Sequence, residues 1–160
     1  MQQQINHVSH VCFIYRKENF AKAKQQFGDA LGITDWDGPQ ELPYFGVLQT
    51  QSVSAGIEIL APLQEGTQFD DYLQTRGEGF FALIYGVEDI GKAVRRAQDK
   101  GIEPYLDADG KPLLIDAMHI NHGGPAYASW AGRVKTYLEV PLKPLSGVNF
   151  YLGQIEPEPK

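Results

Sequence analysis

The feature that most constrains the fold of this chain is an order of elements that occurs twice. A strand-like run is followed by a helix-like run and then by further strand-like runs, and beyond a joint at 77–79 the same order begins again. Positions that correspond in the two halves define any site at the joint. We therefore predict one domain over 1–160, with module one at about 5–63, module two at about 79–142 and a C-terminal extension at 143–160.

The first module changes from a strand period to a helix period. At 8–15, alternation places His10 on the face opposite to Phe13. Apolar residues at 18–31 then recur at helical spacing, and Gly32 follows where a helix C-terminus favours glycine. A turn is predicted at Asp37-Gly38-Pro39. Two strands are predicted at 44–53 and 56–61, and a short helix at 68–75.

The second module begins with an apolar run at 79–87, which predicts a strand. Asp89 is a suitable N-cap for the helix that follows, and Gly101 closes that helix. Further strands are predicted at 112–120, 126–130, 134–140 and 147–155. The predicted fold is therefore of the α+β class, with two βαβββ modules forming a curved mixed sheet around a cleft.

The composition of the chain argues against several classes of partner. With 20 acidic and 14 basic residues the formal net charge is −6, and no basic stripe suits nucleic acid. No apolar run is long enough to span a membrane, and the N-terminus lacks the pattern of a secretory signal. The single cysteine, Cys12, leaves no internal disulfide, so we expect a cytoplasmic protein.

Two glutamates interrupt apolar strands in a way that predicts a functional site. Glu58 and Glu139 each lie mid-strand between two apolar residues, so alternation turns each carboxylate to the face opposite its neighbours. A buried carboxylate is costly unless it is paired, hydrogen-bonded or bound to a cation. We predict that both carboxylates enter a shared cleft; the alternative is that one or both face solvent at a sheet edge.

Five short motifs follow one another along the chain: Leu31-Gly32-Ile33, Gly56-Ile57-Glu58-Ile59-Leu60-Ala61-Pro62-Leu63, Phe69-Asp70-Asp71-Tyr72-Leu73, Arg76-Gly77-Glu78-Gly79 and Val87-Glu88-Asp89-Ile90. In this order and spacing they resemble the vicinal-oxygen-chelate superfamily, which includes glyoxalase I, bleomycin-resistance proteins and extradiol dioxygenases. The branch that the chain resembles most is that of methylmalonyl-CoA epimerase. The resemblance covers roughly residues 5–142 and implies the same two-module fold.

The resemblance also implies a set of metal ligands. In metal-dependent members of the superfamily, a histidine on the first strand and a glutamate or glutamine on the last strand of each module bind one divalent ion. The residues that match these positions are His10, Glu58 and Glu139, which suit Zn, Ni, Co, Mn or Fe. The remaining position is Phe81, which cannot bind a metal, so a protein without any metal is also an expectation.

Two choices among the histidines stay open at this point. His7 is an alternative to His10 as the matching residue, although the distance to Leu31-Gly32 favours His10. His119 or His122 would supply a fourth ligand, whereas a polar turn explains both without one. The candidate substrate pocket consists of aromatic, apolar and cationic side chains: Phe81, Leu83, Tyr85, Trp130, Arg133 and Tyr137.

The resemblance implies an enzyme, a small-molecule isomerase or lyase of the glyoxalase or epimerase type. Glu139 or Glu58 would be the base for proton transfer next to a carbonyl, with or without a divalent metal. The alternative is a metal-free small-molecule binding or resistance protein of the bleomycin-resistance type. In either case we expect a small, hydrophobic, oxygenated ligand and, as is common among relatives, a homodimer.

Overall fold

The computed structural model describes residues 7–159, which contain eight strands, three α-helices and one 3₁₀ helix. In chain order the elements are β1 (His7–Ile14), α1 (Lys17–Leu31), β2 (Asp37–Leu42), β3 (Val47–Ser52), β4 (Ile57–Pro62), α2 (Gln68–Arg76), β5 (Gly79–Gly86), α3 (Ile90–Asp99), β6 (Ile115–Asp116), the 3₁₀ helix (Ala128–Trp130), β7 (Val134–Leu145) and β8 (Val148–Pro157). No helix in the described range is both long and apolar enough to cross a membrane.

The chain divides into two compact units, one formed by His10–Phe81 and the other by residues 7–9 and 82–159. The strand order is β2-β3-β4-β1 in the first unit and β5-β8-β7-β6 in the second. In each unit the first strand of the module runs parallel to the last, and the other pairs are antiparallel. The predicted α+β class with two βαβββ modules is confirmed; residues 5 and 6 of the predicted first module lie outside the described range.

The core of module one forms where α1 packs on the sheet. Phe20 is buried together with Ile59 and Ala61 of β4, and the ring of Phe27 lies 4.7 Å from that of Phe13 on β1. The odd-numbered residues of these two strands therefore face the helix, as alternation requires. The even-numbered residues lie on the other face of the sheet, and that face carries the candidate site.

The N-terminus of α1 is closed by a carboxylate from elsewhere in the chain. Glu78 accepts hydrogen bonds from the backbone N–H of Arg16, at 2.8 Å, and from Nδ2 of Asn19, at 2.9 Å. The Asn19 hydrogen bond, followed by that from Arg16, holds the pKa of Glu78 below its ordinary value. A negative charge at a helix N-terminus also interacts favourably with the helix dipole. The glutamate of the Gly77-Glu78-Gly79 turn thus stabilises a helix end.

We expect Glu78→Gln to make the stability of the protein less dependent on pH in the acidic range. Because the folded-state pKa of Glu78 is lowered, its ionised form stabilises the fold above the unfolded-state pKa, and this contribution is lost as the pH falls through the folded-state pKa. The difference in unfolding free energy between wild type and variant should be largest near neutral pH and shrink below about pH 4.

Urea unfolding at a series of pH values measures this difference. Glu65→Gln, which removes an exposed carboxylate from the loop before α2, is the matched control. If the difference in unfolding free energy between wild type and Glu78→Gln stays constant over the whole acidic range, the ionised Glu78 does not stabilise the helix end.

Module two repeats the arrangement with α3. Asp89 caps this helix, as predicted, by accepting a hydrogen bond of 2.9 Å from the backbone N–H of Lys92. Side chains of α3 are buried together with Val140 of β7 and Leu152 of β8. The even-numbered residues of β7 and β8 therefore face α3, and the odd-numbered residues, Glu139 among them, lie on the opposite face.

Three local predictions are wrong. Residues 37–39 belong to β2 and do not form a turn. Pro39 is tolerated there because β2 is an edge strand and its register shifts between Asp37 and Gln40. The segment 112–120 contains only the two-residue strand β6, and the segment 126–130 contains the 3₁₀ helix. Some side chains in these segments, Ala117, Tyr127 and Trp130 among them, are buried although they lie outside regular strands, and a short apolar run does not distinguish such burial from burial in a strand.

The C-terminal segment supplies the closing strand of module two. β8, which matches the strand predicted at 147–155, pairs in parallel with β5 and antiparallel with β7. It therefore corresponds to β4 of module one, and β7 corresponds to β3. Module two extends beyond residue 142, because the segment predicted as an extension, 143–160, contains β8.

Candidate functional site

Polar side chains gather on the face of the module-one sheet that α1 does not cover. Glu58 of β4 is in register with Cys12 of β1 and with Gln51 of β3. Residues opposite each other in register share a face; of these two neighbours, Cys12 is a buried core residue and Gln51 is a buried polar residue. Since buried polar groups are kept only where they find hydrogen-bonding partners, this face needs a polar network.

The centre of this face is a hydrogen-bonded cluster of three side chains, His10, Glu58 and Gln49. Nε2 of His10 lies 3.1 Å from Oε2 of Glu58, and Nε2 of Gln49 donates to Oε1 of the same carboxylate. His10 is 2% exposed and Glu58 is 9% exposed. Both oxygens of the carboxylate are engaged by nitrogen atoms, which offsets the cost of removing it from water.

An imidazole in contact with a carboxylate is a suitable group for moving protons. The carboxylate orients the ring, selects its tautomer and stabilises its protonated form. The structure therefore brings together two of the predicted site residues, His10 and Glu58. The alternative histidine, His7, is exposed, and its ring packs over Gly86, where an added Cβ would lie 2.9 Å from Cε1 of the ring.

Gln49 is a member of the cluster that the sequence analysis missed. A signal for it exists: Gln49 and Gln51 lie two residues apart within one predicted strand, so both point to one face. The sequence does not reveal the register. Gln49 is opposite Leu60, two residues along β4 from Glu58, and a long side chain reaches such a diagonal neighbour.

Backbone hydrogen bonds allow the two modules to be aligned. The N–H of Tyr15, just after β1, donates to the carbonyl of Leu60 at 3.0 Å, and the N–H of Val87, just after β5, donates to the carbonyl of Gly153 at 2.8 Å. Strand registers extend the alignment along each module. Three pairs of positions correspond: His10 and Ala82, Glu58 and Tyr151, and Gln49 and Glu139.

This alignment changes the correspondence drawn from the sequence. Glu139, matched there to the last strand of its module, lies on β7, and the last strand is β8. Phe81, matched to the position of His10, is one residue away from Ala82. The two correspondences differ because strand pairing defines corresponding positions, and β5 pairs with β8, which follows β7 in the chain.

The predicted pocket residues of β5 do not share one environment. Tyr85 packs in the core beside α3, and Leu83 shares that face by alternation. Phe81 is buried, with ring centroids 5.5 Å from Phe69 and 4.9 Å from Tyr72. The prediction that all three side chains line a ligand pocket is therefore wrong for Leu83 and Tyr85, because α3 covers the face of β5 on which they lie.

Glu139 lies on the same face of β7 as an aromatic stack. The ring of Trp130 is 4.6 Å from Tyr137, at an interplanar angle of 15°, and 4.9 Å from Tyr127. Trp130 is only 1% exposed, so it packs as a core residue, and Glu139 is half-buried. Arg133 is exposed, and its guanidinium donates to the backbone carbonyl of Ser129 in the 3₁₀ helix at 3.4 Å.

Known structures share this architecture, although no family model and no curated protein sequence matches the chain. A methylmalonyl-CoA epimerase from Mycobacterium tuberculosis has a TM-score of 0.62 and 19% identity, over 99% of this chain and 93% of its own. The chain has the fold of the methylmalonyl-CoA epimerases. A second such epimerase, from Streptomyces coelicolor in complex with 2-nitronate-propionyl-CoA, has a TM-score of 0.61 and 17% identity, over 94% of this chain and 98% of its own.

A hypothetical protein from Bacillus halodurans C-125 is also similar to this chain in structure. Its TM-score is 0.67 at 19% identity, over 98% of this chain and 99% of its own. The resemblance drawn from the five sequence motifs is thus confirmed at the level of the fold.

The donor set of this epimerase-fold chain does not fit the four-ligand metal pattern that the resemblance implied. His10 and Glu58 are two donors, but the corresponding positions of module two are Ala82 and Tyr151, which provide neither an imidazole nor a carboxylate. Among residues 7–159, no group of three or more His, Cys, Asp or Glu side chains is placed to hold a metal ion.

The two further histidines considered as ligands lie in the turns between β6 and the 3₁₀ helix. Nδ1 of His119 is 2.9 Å from Oδ2 of Asp116, and its side chain is exposed. His122 adopts a left-handed backbone conformation, with φ of 51°. Both histidines therefore belong to polar turns, the alternative to a ligand role for them.

Proposed function

We propose that this protein is a small-molecule isomerase of the epimerase type, which moves a proton at a carbon next to a carbonyl group. The observation that carries the proposal is the buried contact of 3.1 Å between Nε2 of His10 and Oε2 of Glu58. The fold shared with methylmalonyl-CoA epimerases supports the reaction class.

Such a reaction requires a group that removes a proton from carbon and returns one. The His10–Glu58 pair supplies this group, because the carboxylate holds the ring in one orientation and stabilises the imidazolium that forms. Glu139, half-buried on β7, is the alternative base. The proposed substrate is a small acyl compound whose acidic C–H bond lies beside a carbonyl.

We further propose that the reaction proceeds without a bound metal ion, because Ala82 and Tyr151 stand at the module-two positions that correspond to His10 and Glu58. Activity should then survive exhaustive treatment with a chelator. Loss of activity on chelation, followed by recovery with Zn, Ni, Co, Mn or Fe, would refute this part of the proposal and leave the isomerase reaction standing.

Exchange of substrate hydrogen with solvent deuterium tests the proposed reaction. Methylmalonyl-CoA and simpler 2-methyl-branched acyl thioesters are incubated in deuterated buffer, and mass spectrometry follows the label. Wild type should accelerate exchange, and Glu58→Gln should slow it by about 10²- to 10⁴-fold, with acyl-CoA binding retained in calorimetry. Glu41→Gln, an exposed carboxylate on β2, should leave the rate unchanged.

The second candidate function is a metal-free small-molecule binding protein. The observation that favours it is the pair Ala82 and Tyr151 at the positions that correspond to His10 and Glu58. Acyl-CoA binding that is the same in wild type and Glu58→Gln, without label exchange in either, would select this function over the isomerase.

A further inference from the structure

A carboxamide completes the site cluster from the neighbouring strand. Gln49 is half-buried on β3, opposite Leu60 of β4, and its Nε2 donates to Oε1 of Glu58. His10 contacts the other oxygen, Oε2, at 3.1 Å. The two oxygens of one carboxylate therefore have separate partners, and the Gln49 hydrogen bond holds the carboxylate in one orientation against the imidazole.

We infer that Gln49 is a positioning residue, which holds Glu58 so that its Oε2 accepts the Nε2–H of His10. This inference rests on the proposed function for its catalytic consequence, although the contacts themselves do not. A carboxylate held against Nε2 keeps the hydrogen of the neutral ring on that nitrogen, so it fixes one tautomer of His10. Gln49 would thus act on the reaction through Glu58 and His10.

The internal alignment gives a second argument for a carboxamide at this position. Module two has a carboxylate, Glu139, where module one has Gln49. A carboxylate at position 49 would meet that of Glu58, and two carboxylates that share a site disfavour ionisation of both. A neutral carboxyl group holds a histidine tautomer less firmly than a carboxylate does. The amide removes this conflict while keeping a hydrogen bond to Oε1.

The matched pair of variants is Gln49→Met and Gln40→Met. Both remove a half-buried glutamine amide from the same face of the sheet, since Gln40 of β2 is in register with Gln49. Nε2 of Gln40 donates to the backbone carbonyl of Glu41, which lies outside the site cluster. Methionine keeps the length of the side chain in both variants.

Two measurements separate the inference from the proposed function. Ring ¹⁵N chemical shifts of His10 at one fixed pH report its tautomer, and deuterium exchange from methylmalonyl-CoA reports kcat and KM. Gln49→Met should convert a single Nε2–H tautomer into a mixture and lower kcat by about 10- to 100-fold, with KM unchanged. Gln40→Met should change neither measurement.

An unchanged His10 tautomer in Gln49→Met would overturn the inference, even if activity fell. A changed His10 tautomer in Gln49→Met, together with a wild type that shows no exchange, would support the positioning role and refute the proposed isomerase. If Gln49→Met does not fold, Gln49→Asn gives the same comparison, because the shorter side chain keeps the amide but withdraws it from Oε1.

Discussion

Replacing His10 and Glu58 together by leucine should leave the protein about as stable as wild type, whereas Glu58→Leu alone should cost about 1–3 kcal/mol of unfolding free energy, the range for a buried neutral donor that loses its acceptor. Glu58→Leu removes the carboxylate that lies 3.1 Å from Nε2 of His10. The imidazole, which is 2% exposed, then loses this acceptor. The double change replaces a buried polar pair by apolar side chains of similar volume, which is often neutral or stabilising.

Urea unfolding of wild type, both single variants and the double variant gives a double-mutant cycle. The exposed pair Lys143–Glu103, with 2.6 Å between Nζ and Oε2, is the matched control and should show far weaker coupling. If the two single effects simply add in the double variant, the buried pair is not energetically coupled, and its role as a preorganised acid–base unit fails with it.

Trp130→Ala should lower the unfolding free energy by about 3–5 kcal/mol, the range for large-to-small changes in a core. The indole is 1% exposed and packs between the rings of Tyr127 and Tyr137. Removing it leaves a cavity and breaks both ring contacts. Denaturant unfolding measures the loss, and near-ultraviolet circular dichroism reports the disrupted stack.

The same variant distinguishes core packing from a pocket wall at Trp130. Trp36→Ala is the control, because Trp36 is half-buried and lies under the Lys24 ammonium, 5.8 Å from the ring centroid. It should be the less costly change. A Trp130→Ala protein of wild-type stability that has lost acyl-CoA affinity would show that the indole lines a ligand site.

Several features of the protein follow from local sequence pattern alone. Alternating and helical periods indicate the two βαβββ modules, and Asp89 caps α3 through a contact within one turn. The placement of Glu58 on the face away from α1 also follows, since neighbours in a strand point to opposite faces. These features depend on residues close together in the chain, so the sequence determines them directly.

Only the tertiary structure decides which strands pair and in what register. Pairing β5 with β8 makes Tyr151 the counterpart of Glu58 and moves Glu139 to the position of Gln49. The Gln49–Glu58 hydrogen bond likewise depends on the register of β3 against β4. The physical reason is that period two determines the face of a side chain within its own strand, whereas register depends on packing of segments distant in sequence.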